Sequence, residues 1–66
     1  MYRVFYTKAE LNLDDAVNQG QINVFKDCKK RDTAFNLMRK RDEMTTSQLH
    51  GLKYYVMDLT SLEVYS

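Results

Sequence analysis

Proline is absent, glycine occurs only at Gly20 and Gly51, and there is a single cysteine, Cys28. With so few breakers there is little room for a flexible linker, and the 66 residues read as one domain, 1–66. One cysteine excludes an intramolecular disulfide framework. Secreted domains of this size usually need such staples, so a reducing compartment is expected. No stretch approaches the roughly 20 apolar residues of a membrane span, and "MYRVFYTKAE" lacks the uncharged apolar run of a signal peptide. The expectation is a cytoplasmic protein with no membrane partner. An excess of one charge is missing too. Ten basic and nine acidic residues leave a net charge of +1, so any attraction to a polyanion must be local.

What is present is globular: 44% hydrophobic and 29% charged residues. A chain this short buries only about 60% of its unfolded surface, near the size where a core becomes marginal. "YRVFYT" (2–7) is aromatic and branched, as strands are. In "NLDDAVNQG", Asn12 suits an N-cap, Asp14 and Asp15 suit the first turn, and Gly20 is a natural stop. Leu13, Ala16 and Val17 would share a face. A rival start at Thr7, with Glu10 completing a capping box, would lengthen this helix by a turn. "INVFK" (22–26) reads as a second strand, after which Asp27 or Cys28 opens a long helix. On a wheel of 100° per residue, Ala34, Leu37 and Met38 converge, with Phe35 and Met44 on the flanks. Lys29, Asp32, Asn36, Arg39, Lys40 and Glu43 fall opposite. "TTSQLHG" breaks the pattern as a turn segment. "LKYYVMDLTSLEVYS" reads as a hairpin, with strands at 52–57 and 62–65 and a turn at 58–61. The fold class is α+β: an antiparallel or mixed sheet of three to four strands, one long helix packed on one face, and a short helix after the first strand.

Strand alternation sorts the side chains into two sets. Val4, Ile22, Val24, Tyr54, Val56, Leu62 and Val64 are compact and fit beneath the long helix. Phe5, Phe25, Tyr55, Met57 and Tyr65, with Arg3 and Lys53, form the other. This second face is either covered by residues 9–19 or exposed as a contact surface, since Tyr, Phe, Met and Arg are types enriched at interfaces. Phe5, Phe25, Tyr55, Met57 and Tyr65 are therefore the candidate protein-binding residues.

"KDCKKRDTAFNLMRKRDE" (26–43) holds seven of the ten positive charges. Lys29, Lys30, Arg31, Arg39, Lys40 and Arg41 are the candidate nucleic-acid-binding residues. They do not form one stripe. Lys30, Arg31 and Arg41 fall beside the core edge and must snorkel, and acidic residues interrupt the run, with Arg39 and Glu43 at helical i,i+4 spacing. Nucleic-acid binders usually show a net basic patch, whereas this segment sums to only about +3. A solvated, salt-bridged helix face is the plainer account.

Cys28 and His50 are the only soft ligands. They cannot supply a four-ligand zinc site, and a thiol–imidazole pair would need a third group and a cleft. Asp14 and Asp15 point about 100° apart on a helix, which rules out a shared-proton dyad, and no glycine-rich phosphate loop exists. The expectation is no enzyme activity, no metal and no cofactor.

In style, "INVFKDCKKRDTAFNLMRKRDE" followed by "LKYYVMDL" resembles the small host-takeover or anti-defence proteins of bacteriophages. These are single, disulfide-free domains that often run strand, helix with a central alanine, then strands. The likeness is architectural, covers roughly the second two-thirds of the chain, and transfers no functional residue. It implies action by binding, in the host cytoplasm, to a larger protein that is occluded or redirected. The leading expectation is thus a non-enzymatic protein-binding module. The alternative is a small nucleic-acid-binding accessory protein using the basic segment 26–43. Self-association as a homodimer through the sheet would bury leftover apolar area, at roughly 25 cal/mol per Å² before association costs.

Overall fold

Aromatic and branched residues at alternating positions hold 2–8 and 52–58 extended, and these two segments form the centre of the structure. The computed structural model describes residues 1–66. Its elements are β1 (Tyr2–Lys8), α1 (Leu13–Asn18), β2 (Asn23–Cys28), α2 (Arg31–Glu43), α3 (Thr45–Leu49), β3 (Leu52–Asp58) and β4 (Val64–Tyr65). The four strands form one antiparallel sheet in the order β2-β1-β3-β4. The α+β architecture, with a long helix on one face and a short helix after the first strand, is as expected.

α2 lies on the sheet through the face the wheel assigns to it. Ala34 and Met38 are buried with Val4, Cys28, Tyr54 and Val56, and Tyr2, Tyr6, Phe35, Leu37 and Leu52 pack around them. Lys29, Asp32, Asn36, Arg39, Lys40 and Glu43 are all exposed. α1 is built as its residues dictate. Asn12 Oδ1 accepts the Asp15 N–H at 2.8 Å, and Gly20 takes φ +67° just beyond the end. Only Ala16 of this helix is buried. Val17, expected beside it, is exposed. Thr7 does not start the helix but stays in β1, fully buried.

Three boundaries differ from the sequence expectation. β2 runs to Cys28, and α2 opens only at Arg31. Asp27 is held in the sheet by Arg3 (Nε to Oδ1 2.8 Å, Nη2 to Oδ2 3.0 Å), and Cys28 is buried opposite Tyr2. Strand pairing overrides the capping preference of Asp27. "TTSQLHG" contains the short helix α3, closed by Gly51 at φ +63°. The final strand is two residues long, because Leu62 is drawn into the turn at φ +63°. There its N–H bonds to the Asp58 carbonyl at 2.7 Å.

The largest correction concerns phase. β2 carries a bulge opposite the Val4–Phe5 step, where Lys26 pairs with Val4 and Val24 with Phe5, leaving Phe25 over. An extra residue reverses the in–out alternation beyond it. Phe25 therefore lies on the α2 face, with its ring edge-on to Tyr54 at 5.8 Å, and Val24 lies on the other. β4 is likewise reversed. Val64 stands opposite Met57, and Tyr65 stands opposite Val56 on the α2 side. Leu62, assigned to the core by alternation, is 68% exposed.

Candidate functional site

The aromatic centre of the second sheet face is interior. Phe5 is 1% exposed and Tyr55 9%. Their rings stack at 5.3 Å with 17° between planes. Thr7 beside Phe5 in β1 is buried too, as is Ala16 of α1, which packs against β1. The short helix and its flanking segments thus cover this face, and Phe5 and Tyr55 are core residues rather than a contact surface. Of the five candidate protein-binding residues only Met57 stays on this face half-exposed. It sits in a cross-strand row that reads Asp27, Arg3, Met57, Val64 from β2 to β4. The structure does not bring Phe25 and Tyr65 to this face at all.

Those two rings instead serve as platforms for arginines of α2. The Arg41 guanidinium lies 4.7 Å from the Phe25 centroid and 5.8 Å from that of Tyr54. Arg31 lies 4.9 Å from Phe35 and 5.5 Å from Tyr65. Both arginines flank the buried stripe, where a snorkelling stem meets aromatic faces and gains cation–π attraction. The Tyr65 hydroxyl donates to Glu63 at 2.6 Å, and that hydrogen bond raises the phenol above its ordinary pKa.

The candidate nucleic-acid residues are split three ways. Lys29 and Lys30 lie in the loop before α2, beside Lys26 of β2. Arg39 and Lys40 project from the outer face of α2, and Arg31 and Arg41 lie over rings on its opposite flanks. None of these seven cations has a carboxylate within 4.0 Å, because the only salt bridge in the molecule joins Arg3 and Asp27. The i,i+4 pair expected between Arg39 and Glu43 does not form. The face is wet but not salt-bridged.

Asp27 and Asp42 are diverted from the basic segment by the fold. Asp27 points to the opposite sheet face, where the hydrogen bond from Arg3 lowers its pKa and raises that of Arg3. Asp42 turns to β3, accepting the Tyr54 backbone N–H at 3.0 Å. What remains beside β2 is a depression of about 440 Å³ lined by Lys26, Asp27, Cys28, Lys29, Lys30 and Thr33. The Lys30 N-cap of α2 supplies no side-chain hydrogen bond there. One other hollow lies along α2 between Arg31 and Arg39, and another, away from α2, around His50 with Lys8, Glu10 and Gly51. Cys28 and His50 therefore stand in different hollows. No three His, Cys, Asp or Glu side chains come together as a metal set, and no helix is long and apolar enough to cross a membrane.

The two edges of the sheet are treated differently. β2 is an edge strand with five of six residues exposed, and no loop or turn backbone bonds to any of its residues. On the other side β4 covers only Val56 and Met57 of β3. The stretch of β3 that β4 leaves free is closed by Asp42 on the Tyr54 N–H and by α3 packed alongside. Sequence reasoning missed Asp42, whose bond spans twelve residues and has no local signature. The Arg3–Asp27 pair could have been found only with the register in hand. Comparison with known proteins yields no matching family model, no similar curated protein and no similar solved structure.

Proposed function

We propose that this chain is a non-enzymatic binding module that acts by docking onto a larger protein. The likeness to small phage proteins makes a host protein, met in the host cytoplasm, the expected target. The observation that carries this reading is the open edge at β2. An exposed strand with free backbone groups is a template for another chain, and β2 is guarded only by its bulge and Lys26 and not by a covering element. The opposite edge ends in β4, a strand of only two residues, so β2 is the long free edge of the sheet. A tagged chain should retain a stoichiometric protein partner from lysate of its host cell, and retention should survive nuclease treatment. A chain that holds no protein under these conditions would end the reading.

A second reading has its own observation. Seven cations between residues 26 and 41 lie without a carboxylate partner, which favours a nucleic-acid accessory role. Neutralised phosphates release counterions, so affinity would fall by about 0.9 log units per contact for each log unit of salt. A gel-shift titration checks it, and no binding to duplex or single strands at low salt removes it.

A further inference from the structure

Three features meet at one edge. β2 offers an unbonded outer backbone along Asn23–Cys28. Lys26, Lys29 and Lys30 stand around one depression that Asp27 also lines, with the Asp27 carboxylate bonded to Arg3. On the face of β2 away from α2, Val24 is 54% exposed. We infer that β2 is the docking edge for an extended, acidic segment of a partner protein, which adds to the sheet as a fifth strand. The inference rests on the protein-binding reading and names the partner's chemistry.

Strand addition uses main-chain hydrogen bonds for affinity and alternate side chains for selectivity. Side chains of an added strand alternate between the two faces. Those near the depression would meet three lysines that have no ion-pair partner, the neighbouring Asp27 being taken by Arg3, and so should be Asp or Glu. On the other side the position over Val24 should be apolar, while Asp27 on that face is already neutralised by Arg3. The bulge at Phe25 and the charge of Lys26 are devices that discourage neutral strands from pairing at an edge. An acidic strand turns the lysine from a deterrent into a contact. A second copy of the chain is the poorer occupant, because its own β2 brings the same three lysines to the same side, and like charges directly opposed are destabilising.

The test uses the full chain, isotopically labelled, titrated with a short blocked peptide alternating Glu and Val. Amide shifts should move along Asn23–Cys28, and exchange should slow at the β2 amides that do not bond to β1. The double variant Lys26→Glu/Lys29→Glu should weaken the peptide by at least about tenfold and instead bind a Lys/Val peptide. The variant's amide spectrum, unchanged away from β2, shows that it is folded. Equal binding of an uncharged Ser/Val peptide, shifts confined to the outer face of α2, or protection of β2 through self-association without peptide would each overturn the inference. If a captured partner protein leaves the β2 amides unprotected, this inference falls and the binding-module reading stands. If β2 takes the acidic peptide while no protein is retained from lysate, the reading falls and the edge chemistry stands.

Discussion

The sheet has one edge that is mostly closed, ending in a strand of two residues, and one that is left open along six. At the closed edge, β4 adds only two residues, an aspartate from α2 takes the Tyr54 N–H, and α3 packs beside β3 through Ser47 as its one buried residue. At the open edge no element bonds to the outer backbone of β2; Arg41 lies over its Phe25 on one face and Arg3 holds its Asp27 on the other. A sheet of four strands could hide both edges by the same means. That the longer edge is the bare one is a matter of backbone chemistry, not of the aromatic residues that composition brings forward. The exposed aromatic face anticipated from alternation is mostly core.

Both edges hang on the central pair β1 and β3, so the largest effect is expected there. Phe5→Ala removes a ring that is buried and stacked on Tyr55, and should cost about 3–5 kcal/mol in a denaturant melt. Phe25→Ala, whose ring is 38% exposed at the open edge, should cost clearly less. Equal costs would mean that the open edge is built as firmly as the centre.

The closed edge depends on Asp42. Asp42→Ala leaves the Tyr54 N–H in a part-buried position without its acceptor, a loss of about 1–3 kcal/mol. Asp42→Asn keeps an oxygen acceptor and should lie close to wild type. If both variants melt alike, the hydrogen bond does not close this edge.

How much of this was legible in the sequence depends on the range of the interactions involved. The α2 wheel, the Asn12 cap and the strand–helix order rest on local periodicity and local capping, and they stand as read. The phases of β2 and β4 do not. Alternation holds only while the strand is regular, and one inserted residue at Phe25 exchanges Val24 and Phe25 between faces. β4 is shifted by a loop whose register is fixed by the Asp58 N–H on the Glu63 carbonyl at 2.9 Å. Asp27 reads as a helix cap until Arg3 is placed opposite it. For the site, the lysines and arginines were visible by number. Their lack of partners was not: Asp27 and Asp42 are taken by Arg3 and the Tyr54 N–H, and the exposed Asp32 and Glu43 form no ion pair.

The hairpin of the closed edge can be sharpened in the stabilising direction. Leu62 is exposed and left-handed, a conformation that costs a non-glycine residue roughly 1–2 kcal/mol. Glycine removes that strain but loosens the unfolded chain. Leu62→Gly should therefore gain about 0.5–1 kcal/mol net, read as a raised denaturation midpoint. Destabilisation would mean that Leu62 packs in solution.

Each edge also carries one carboxylate held below its ordinary pKa. Asp27 is lowered by the Arg3 hydrogen bond, and Asp58 by the backbone N–H of Thr60 and, less, that of Ser61. A depressed folded pKa lends stability that is complete above the unfolded value of about 3.9 and is lost as pH falls through the folded value. Midpoints measured downward from neutral pH should fall only in that acidic window. Asp27→Asn and Asp58→Asn should each flatten the fall. A slope unchanged in both variants would assign acid sensitivity to other groups.

The smallest effect on stability belongs to the residue that matters most for the open edge. Lys26 is exposed in β2, with no carboxylate near it, so Lys26→Ala should change stability by no more than about 0.5 kcal/mol. Its influence should appear in association instead. A lysine on an edge strand keeps like strands apart, and Lys26→Ala removes that repulsion while leaving the backbone template in place. Sedimentation at matched concentrations should give the variant a higher average mass than the wild type, and added salt should narrow the gap by screening the wild-type charge. Equal masses at every salt concentration would show that the lysine does not guard β2, and the bulge at Phe25 would then be left as the feature that keeps the edge open.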